Sequence, residues 1–328
     1  MSLQPSAWYR LRASRAQPPG LAADDKARAS TYRAALQQAE ELMRAAGAVG
    51  PASRPLPLYY AISQAGRAVV AARGTDGQLD APEHGLKFPT PAGAVLESLV
   101  APTKKGQFPA IAAATESPAL ATGVQLGALM ATLPELARLP ELASQWHRPL
   151  PVWPLRLENR MDQVAYQGLV PGLVVFDSTP VSADELAAAL KPYPMQPRPH
   201  IRNQAVLPPG LVIGFDTPDG YGVELLWTDP DDGTDPLPRR YGPEGRRWLR
   251  PAVCGTDFPP SLLMTWWAVL YGLSMLARYH PVEWVRALDL DSSPVSVVLE
   301  ATLDVALEVV PELVLEAIEV ADAQSPCA

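Results

Sequence analysis

From Pro259 to Ala277 the chain reads PPSLLMTWWAVLYGLSMLA, without a single charged residue. A run this long and apolar belongs either in a protein interior or in a bilayer, whose minimum span is about 18 residues. Two prolines at its start, and Trp266 and Trp267 near its centre instead of at an interface, favour the interior. A helix that is apolar all round is a buried helix. The segment therefore predicts a central core helix that other helices must surround, and no membrane association is expected.

The rest of the chain can supply that surround. At 328 residues, 48% of them hydrophobic, it is long enough to bury a large core and too apolar to be disordered throughout. Its 37 prolines are about twice the average usage, and proline is excluded from helix interiors and central strands. Many loops must then be rigid and irregular. Cys254 and Cys327 are the only cysteines, too few for a disulfide framework or a structural zinc site. The opening MSLQPSAWYRLRASRAQPPG lacks the apolar run of a signal peptide, so a cytoplasmic location is expected. No metal and no cofactor is expected either.

The net charge of −8 argues against broad polyanion binding by the whole molecule. That charge is unevenly spread. Basic residues clearly outnumber acidic ones from Arg10 to Arg73, whereas no Lys or Arg follows Arg286. The simplest consequence is that the two ends of the chain pack together; recruitment of two different partners is the alternative.

Along the chain, residues 1–20 show no clean period and read as an irregular arm. Asp24 offers an N-cap for a helix ending at Gly47, with Tyr32, Ala35, Leu36, Ala39, Leu42 and Met43 on one side. PLPLYYAISQAGRAVVAARG predicts a deeply buried helix from about Pro57 to Gly74, opened by proline and stopped by glycine. Short helices are expected at Ala92–Leu99, Leu120–Leu133 and Glu135–Trp146, with Lys105-Gly106-Gln107-Phe108 in a connection. The N-terminal helical part thus spans 21–148. Between 149 and 258, PVWPLRLE, QVAYQGLV, GLVVFDS, GLVIGFDT and YGVELLWTD carry strand punctuation. They predict a small, mostly antiparallel sheet, with one helix capped by Ser182 and Glu185 and a proline-rich loop after it. Helix returns from 259 to the end. The fold class expected is α+β, α-dominated, with the N- and C-terminal helices packed around the hydrophobic one.

Two stretches are familiar. LYYAISQAGRAVVAARG (Leu58–Gly74) with EHGLKF (Glu83–Phe88), and LYGLSMLARYHPVEW (Leu270–Trp284), resemble the paired-tyrosine helix, His-Gly element and C-terminal helix of YaaC-like proteins. GQFPAIAAA and TLPEL fit the looser pattern between them. The resemblance implies a prokaryotic protein of unassigned biochemical function. A weaker likeness connects the YYA helix and His-Gly turn to the helical HEPN group, many of whose members are RNases in defence systems. Their Arg, four to six residues, His signature is missing: no arginine stands five to seven positions before His84, His147, His200 or His280.

Four groups of residues carry candidate chemistry. His84 and His280 are the candidates for acid–base work, because an imidazole titrates near neutrality; fixing a loop and capping a helix are their structural alternatives. Tyr59, Tyr60, Arg67, His84, Arg278 and His280 would form a phosphate or nucleotide site if the helices bring them together. In PRRYGPEGRRWLRP, Arg239, Arg240, Arg246, Arg247 and Arg250 interleave with Tyr241 and Trp248, a composition suited to nucleic-acid contact and equally to a turn between strands. Glu300, Asp304, Glu308, Glu312 and Glu316 recur every four residues and read as the solvated side of an amphipathic helix, which Pro311 breaks or kinks. DPDDGTD (Asp229–Asp235) resembles a calcium loop but lacks its twelfth-position Glu and reads as a hairpin turn.

No P-loop, Rossmann, nucleophile-elbow or zinc-protease motif is present. The expectation is a non-catalytic binding or adaptor protein of a defence or stress assembly, with a protein partner, nucleic acid as a further partner and a homo-oligomer open. The alternative is a divergent HEPN-like RNase with a relocated active site.

Overall fold

The computed structural model describes residues 6–79, 81–89, 93–155, 169–177, 182–194, 200–201, 214–217, 220–228, 237–238, 240–241, 245–253 and 256–323. It comprises two units, Met1–Trp146 with Val253–Ala328, and His147–Ala252. The first holds helices α1 (Ala7–Ala16), α2 (Leu21–Asp24), α3 (Lys26–Ala48), α4 (Pro55–Arg73), α5 (Asp76–Leu79), α6 (Gln107–Ala114), α7 (Leu126–Ala131) and α8 (Pro140–Ala143). Strands β1 (Leu86–Lys87), β2 (Leu99–Pro102) and β3 (Val124–Gln125) lie among them, and α10 (Leu262–Tyr279), α11 (Pro281–Ala287) and α12 (Ser296–Ala323) complete the unit.

Helix α4 is the hub on which α3, α6, α10 and α12 pack. It stops at Gly74 as expected but starts at Pro55, two residues before Pro57, and its C-terminal carbonyls are closed from outside. Arg28 of α3, only 6% exposed, donates to the carbonyls of Ala71 (3.1 Å) and Gly74 (2.8 Å) and to Asp76 (2.6 Å). Buried cations need such partners. Helix α3 is capped by Asp25, one residue later than Asp24, through the amides of Ala27 (2.7 Å) and Arg28 (3.1 Å).

The uncharged stretch is α10, and Trp266, Trp267, Leu270 and Leu273 are fully enclosed. Gly66 is what lets it approach α4. A Cβ there would lie 2.3 Å from the Trp267 ring and 2.6 Å from Ile111. Among the described residues no helix is long and apolar enough to cross a membrane.

The charge asymmetry of the two ends is met by pairing. Arg10 bonds Glu319 and Arg54 bonds Asp304, while Arg73 donates to the carbonyl of Ala317 at 3.0 Å. On α12, Val298, Leu299, Leu303, Ala306 and Val310 face inward, and Asp304, Glu308, Glu312 and Glu316 are exposed. Pro311 does not break this helix; it is buried together with Val310 before it and Leu313 two residues after it.

Several expectations need correction. The helix expected at Leu120–Leu133 is only α7, preceded by strand β3, and the one expected at Glu135–Trp146 is only the single turn α8. Residues 7–16, expected within an irregular arm, form α1, capped by Ser6. Only Ala7 and Leu11 of it are buried, a seam too short to register as a period. The helix expected at Ala92–Leu99 is a 3-10 turn, Val95–Glu97, running into β2. The expected connection at Gln107 is instead the start of α6. Strands β1, β2 and β3 form a small antiparallel sheet, Lys87 opposite Ala101 and Val100 opposite Val124.

The second unit is an antiparallel sheet of β4 (Leu150–Pro154), β5 (Leu169–Phe176), β6 (His200–Ile201), β7 (Gly214–Thr217), β8 (Gly220–Thr228), β9 (Arg240–Tyr241) and β10 (Arg246–Leu249). Its order is β6-β8-β5-β4-β10-β9, with β7 also on β8. One face buries Val152, Val174, Val223, Leu225 and Trp227 against Tyr193 and Leu186 of α9 (Ala183–Leu190). Ser182 caps α9 through the amide of Glu185, at 3.2 Å. DPDDGTD, Cys254, Cys327 and most of the proline-rich loop and of QVAYQGLV lie outside the described residues. The protein is an α-dominated α+β protein.

Candidate functional site

Helix α4 is not buried on every side. Tyr60 and Arg67, almost two turns apart, are exposed, and Gln64 between them is half-buried. Residues at this spacing share one helical stripe, and Tyr59, about 100° round the helix from Tyr60, turns inward while its ring stays 5.8 Å from that of Tyr60. Tyr59 is 1% exposed and Tyr60 38%. Inward, the Tyr59 ring meets Tyr271 of α10 edge-on at 5.4 Å and His84 at 5.5 Å. Tyr271 ties α10 to the segment after His84 by donating to the carbonyl of Leu86 at 2.9 Å.

Burial pushes the Tyr59 hydroxyl well above its ordinary pKa, Tyr271 and Tyr60 add to this, and the indole N–H of Trp267 opposes it. Neither that hydroxyl nor the Trp267 N–H has a partner at hydrogen-bonding geometry. Tyr59 stays neutral and serves as a wall, not as an acid.

His84 is held by backbone. Gly85 (φ +80°) and Gly106 (φ +122°) adopt conformations that side chains rarely allow, and they touch: a Cβ on Gly106 would fall 2.4 Å from the nitrogen of Gly85. The amides of Gln107 and Phe108 donate to the carbonyls of Glu83 (2.8 Å) and His84 (3.0 Å), and that of Thr103 to Gly85 (3.0 Å). Amides that a helix start leaves unpaired are consumed here in fixing the histidine turn. The His84 side chain remains open to solvent on one side. Its pKa lies below the ordinary 6.5 because Tyr59 and Tyr271 partly desolvate it, and because Arg278 and then Arg67 repel a proton there.

Both arginines are oriented. Arg278 donates to the Tyr60 hydroxyl at 3.2 Å and lies 5.0 Å over the Tyr279 ring. Arg67 is gripped by Gln107, a side chain 5% exposed. The amide is oriented with Oε1 accepting from Arg67 Nε (2.9 Å) and Nη2 (2.7 Å) while Nε2 donates to Ser63 Oγ (2.7 Å). Among the described residues, neither Arg67 nor Arg278 forms an ion pair with a carboxylate. Tyr60, Arg67, His84 and Arg278, backed by Tyr59, therefore form one electropositive surface. His280 stands apart at the end of α10, its ring 6.5 Å from Phe88 and its amide capping Leu276 at 2.9 Å.

The arginine-rich segment divides. Arg247 is 5% exposed and donates to the carbonyl of Pro238 at 2.6 Å; its strand position points it inward. Arg246 lies 5.8 Å over the Trp153 ring. Trp248 and Arg250 are half-buried, Arg240 pairs along the backbone with Arg247, and Arg239 is outside the described residues. Gln107, Tyr271 and the Gly85–Gly106 contact are parts of the His84 surface that sequence reasoning did not find. Among the described residues no group of three or more His, Cys, Asp or Glu is placed to hold a metal ion.

No curated protein and no solved structure matches this chain. The model of one family, the YaaC-like proteins, matches residues 6–318, a span that takes in both units and every residue of the His84 surface. The chain belongs to the YaaC-like protein family.

Proposed function

We propose that the protein is a non-catalytic binding component, an adaptor that captures a phosphate-bearing ligand at Tyr60, Arg67, His84 and Arg278. The observation that carries this reading is that two guanidinium groups act on one histidine and that, among the described residues, neither forms an ion pair with a carboxylate. A guanidinium fork is matched to phosphate oxygens, and a charge-assisted contact is about twice as strong as a neutral one. Gln107 uses two N–H groups of Arg67 and leaves the remainder for a ligand. Calorimetric titration of the whole chain with inorganic phosphate should show binding that Arg67→Ala and Arg278→Ala each weaken about tenfold. Phosphate affinity unchanged from that of the unsubstituted protein in both variants would sink the reading.

One observation favours a second reading, phosphodiester cleavage. His84 is held neutral near pH 7 beside two cations, the state in which an imidazole can accept a proton. Labelled single-stranded RNA separates the two. Retention without cleavage fits an adaptor, whereas cleavage that His84→Ala abolishes and His280→Ala spares fits a nuclease centred on His84.

A further inference from the structure

Beside His84 the chain places a second set of cations that the proposed site does not yet use. Lys104 and Lys105 form the exposed turn between β2 and α6. That turn is docked on the histidine turn at both of its ends. The amide of Thr103 donates to the carbonyl of Gly85 at 3.0 Å, and Gly106 lies against Gly85 so closely that no side chain fits between them. Thr103 Oγ1 closes the turn on the carbonyl of Lys105 at 2.8 Å. Lys87, also exposed, leaves the same histidine turn on β1, opposite Ala101.

These cations are grouped on two docked turns in a molecule that is acidic as a whole. The net charge is −8, and Arg10, Arg12, Arg15, Arg28, Arg44 and Arg54 all reach carboxylates. Lys87, Lys104 and Lys105, like Arg67 and Arg278, pair with no carboxylate among the described residues. Glu83 is the one acidic residue on the two docked turns. Gathering like charges on a small rigid area raises the energy of the free protein, and a multiply charged anion relieves it. The two types of cation also differ in use. Arginine fixes the orientation of one group, whereas a lysine ammonium is a point charge on a flexible stem that follows whatever lies next to it.

We infer that the ligand carries consecutive phosphates, the first held by Arg67 and Arg278 beside His84 and the next by Lys104 and Lys105. This rests on the phosphate reading of the Arg67–His84–Arg278 surface and names the class of ligand it takes, a phosphate chain in preference to a single phosphate group. The test is titration of the whole chain, at fixed ionic strength, with inorganic phosphate, pyrophosphate and triphosphate. Triphosphate should bind about tenfold or more tighter than phosphate. In the Lys104→Ala/Lys105→Ala double variant that gain should vanish while phosphate affinity stays at the unsubstituted value. A triphosphate affinity no better than that of phosphate, or a gain that survives the double substitution, overturns the inference and leaves the phosphate site standing. Failure of all three anions to bind the unsubstituted protein removes the phosphate reading itself.

Discussion

Arginines converge at two places in the first unit, around Glu40 and around His84, and the groups at the two centres have opposite electrostatics. Glu40 of α3 is 5% exposed. It accepts from Arg12 Nε at 2.7 Å and bonds Arg44, with Arg15 at 3.8 Å. Burial alone would push this carboxyl up, yet Arg12, Arg44 and Arg15 outweigh it and hold it below the usual carboxylate range. Positive charge there is answered inside the protein, and the result is a bolt between α1 and α3. Around His84 the central group is kept neutral, because partial burial first, and then Arg278 and Arg67, oppose its protonation. Positive charge there is left to be answered from outside. The same residue type builds the fold at one place and a receptive surface at the other.

The largest effect expected from breaking this contrast lies at the bolt. Glu40→Ala leaves three arginines without their shared counter-charge and should cost about 2 kcal/mol of stability. That is below the cost of breaking a fully buried pair, because these arginines reach solvent. Urea denaturation measures it, and phosphate affinity should stay unchanged. A loss of affinity with stability intact would mean that the two clusters are not separate devices.

A smaller effect is expected when one cluster is made to resemble the other. Gln107→Glu sets a carboxylate under Arg67, as Glu40 stands under Arg12. Phosphate should then bind about tenfold more weakly, through loss of net positive charge, while the fold is kept because Arg67 and Ser63 can both donate to the new carboxylate. Unchanged affinity would show that Arg67 does not meet the ligand.

What could be read beforehand depended on how far each signal extends along the chain. Helices α4 and α10 were legible because their apolar positions persist over several turns, and α4 is bracketed by Pro55 and Gly74. Helix α6 was not, since its first amides are satisfied by the carbonyls of Glu83 and His84, partners that exist only after docking. Strands β1 and β3 have two residues each, too few to alternate. Among site residues, Tyr59, Tyr60, Arg67, His84 and Arg278 stood out in unusual local sequence. Gln107 and Tyr271 sit in ordinary helical text, and their roles appear only when α6 and α10 meet the histidine turn. The burial of Arg247 was hidden for a different reason: composition shows an arginine-rich segment, but only the strand register turns Arg247 inward with Leu249.

The smallest effect expected is a proton linkage at His84. Its folded pKa lies below the ordinary 6.5, through partial burial first and then Arg278 and Arg67. Between the folded value and about 6.5 the unfolded chain binds the proton more readily, so stability is full above that window and declines as pH falls through it. The decline should be slight, since one side of the ring is open to water, and it should be missing in His84→Gln. An anion held between Arg67 and Arg278 reverses the sign locally. Its negative charge favours the imidazolium, so His84 should titrate higher with ligand bound, and binding should take up a proton and tighten as pH falls towards 6. Sulfate is the suitable probe because its charge is constant over this range. The His84 imidazole resonances, followed by NMR against pH with and without sulfate, report the shift directly. An upward move locates the anion beside the ring, whereas an unmoved titration means that the two arginines meet their anion elsewhere.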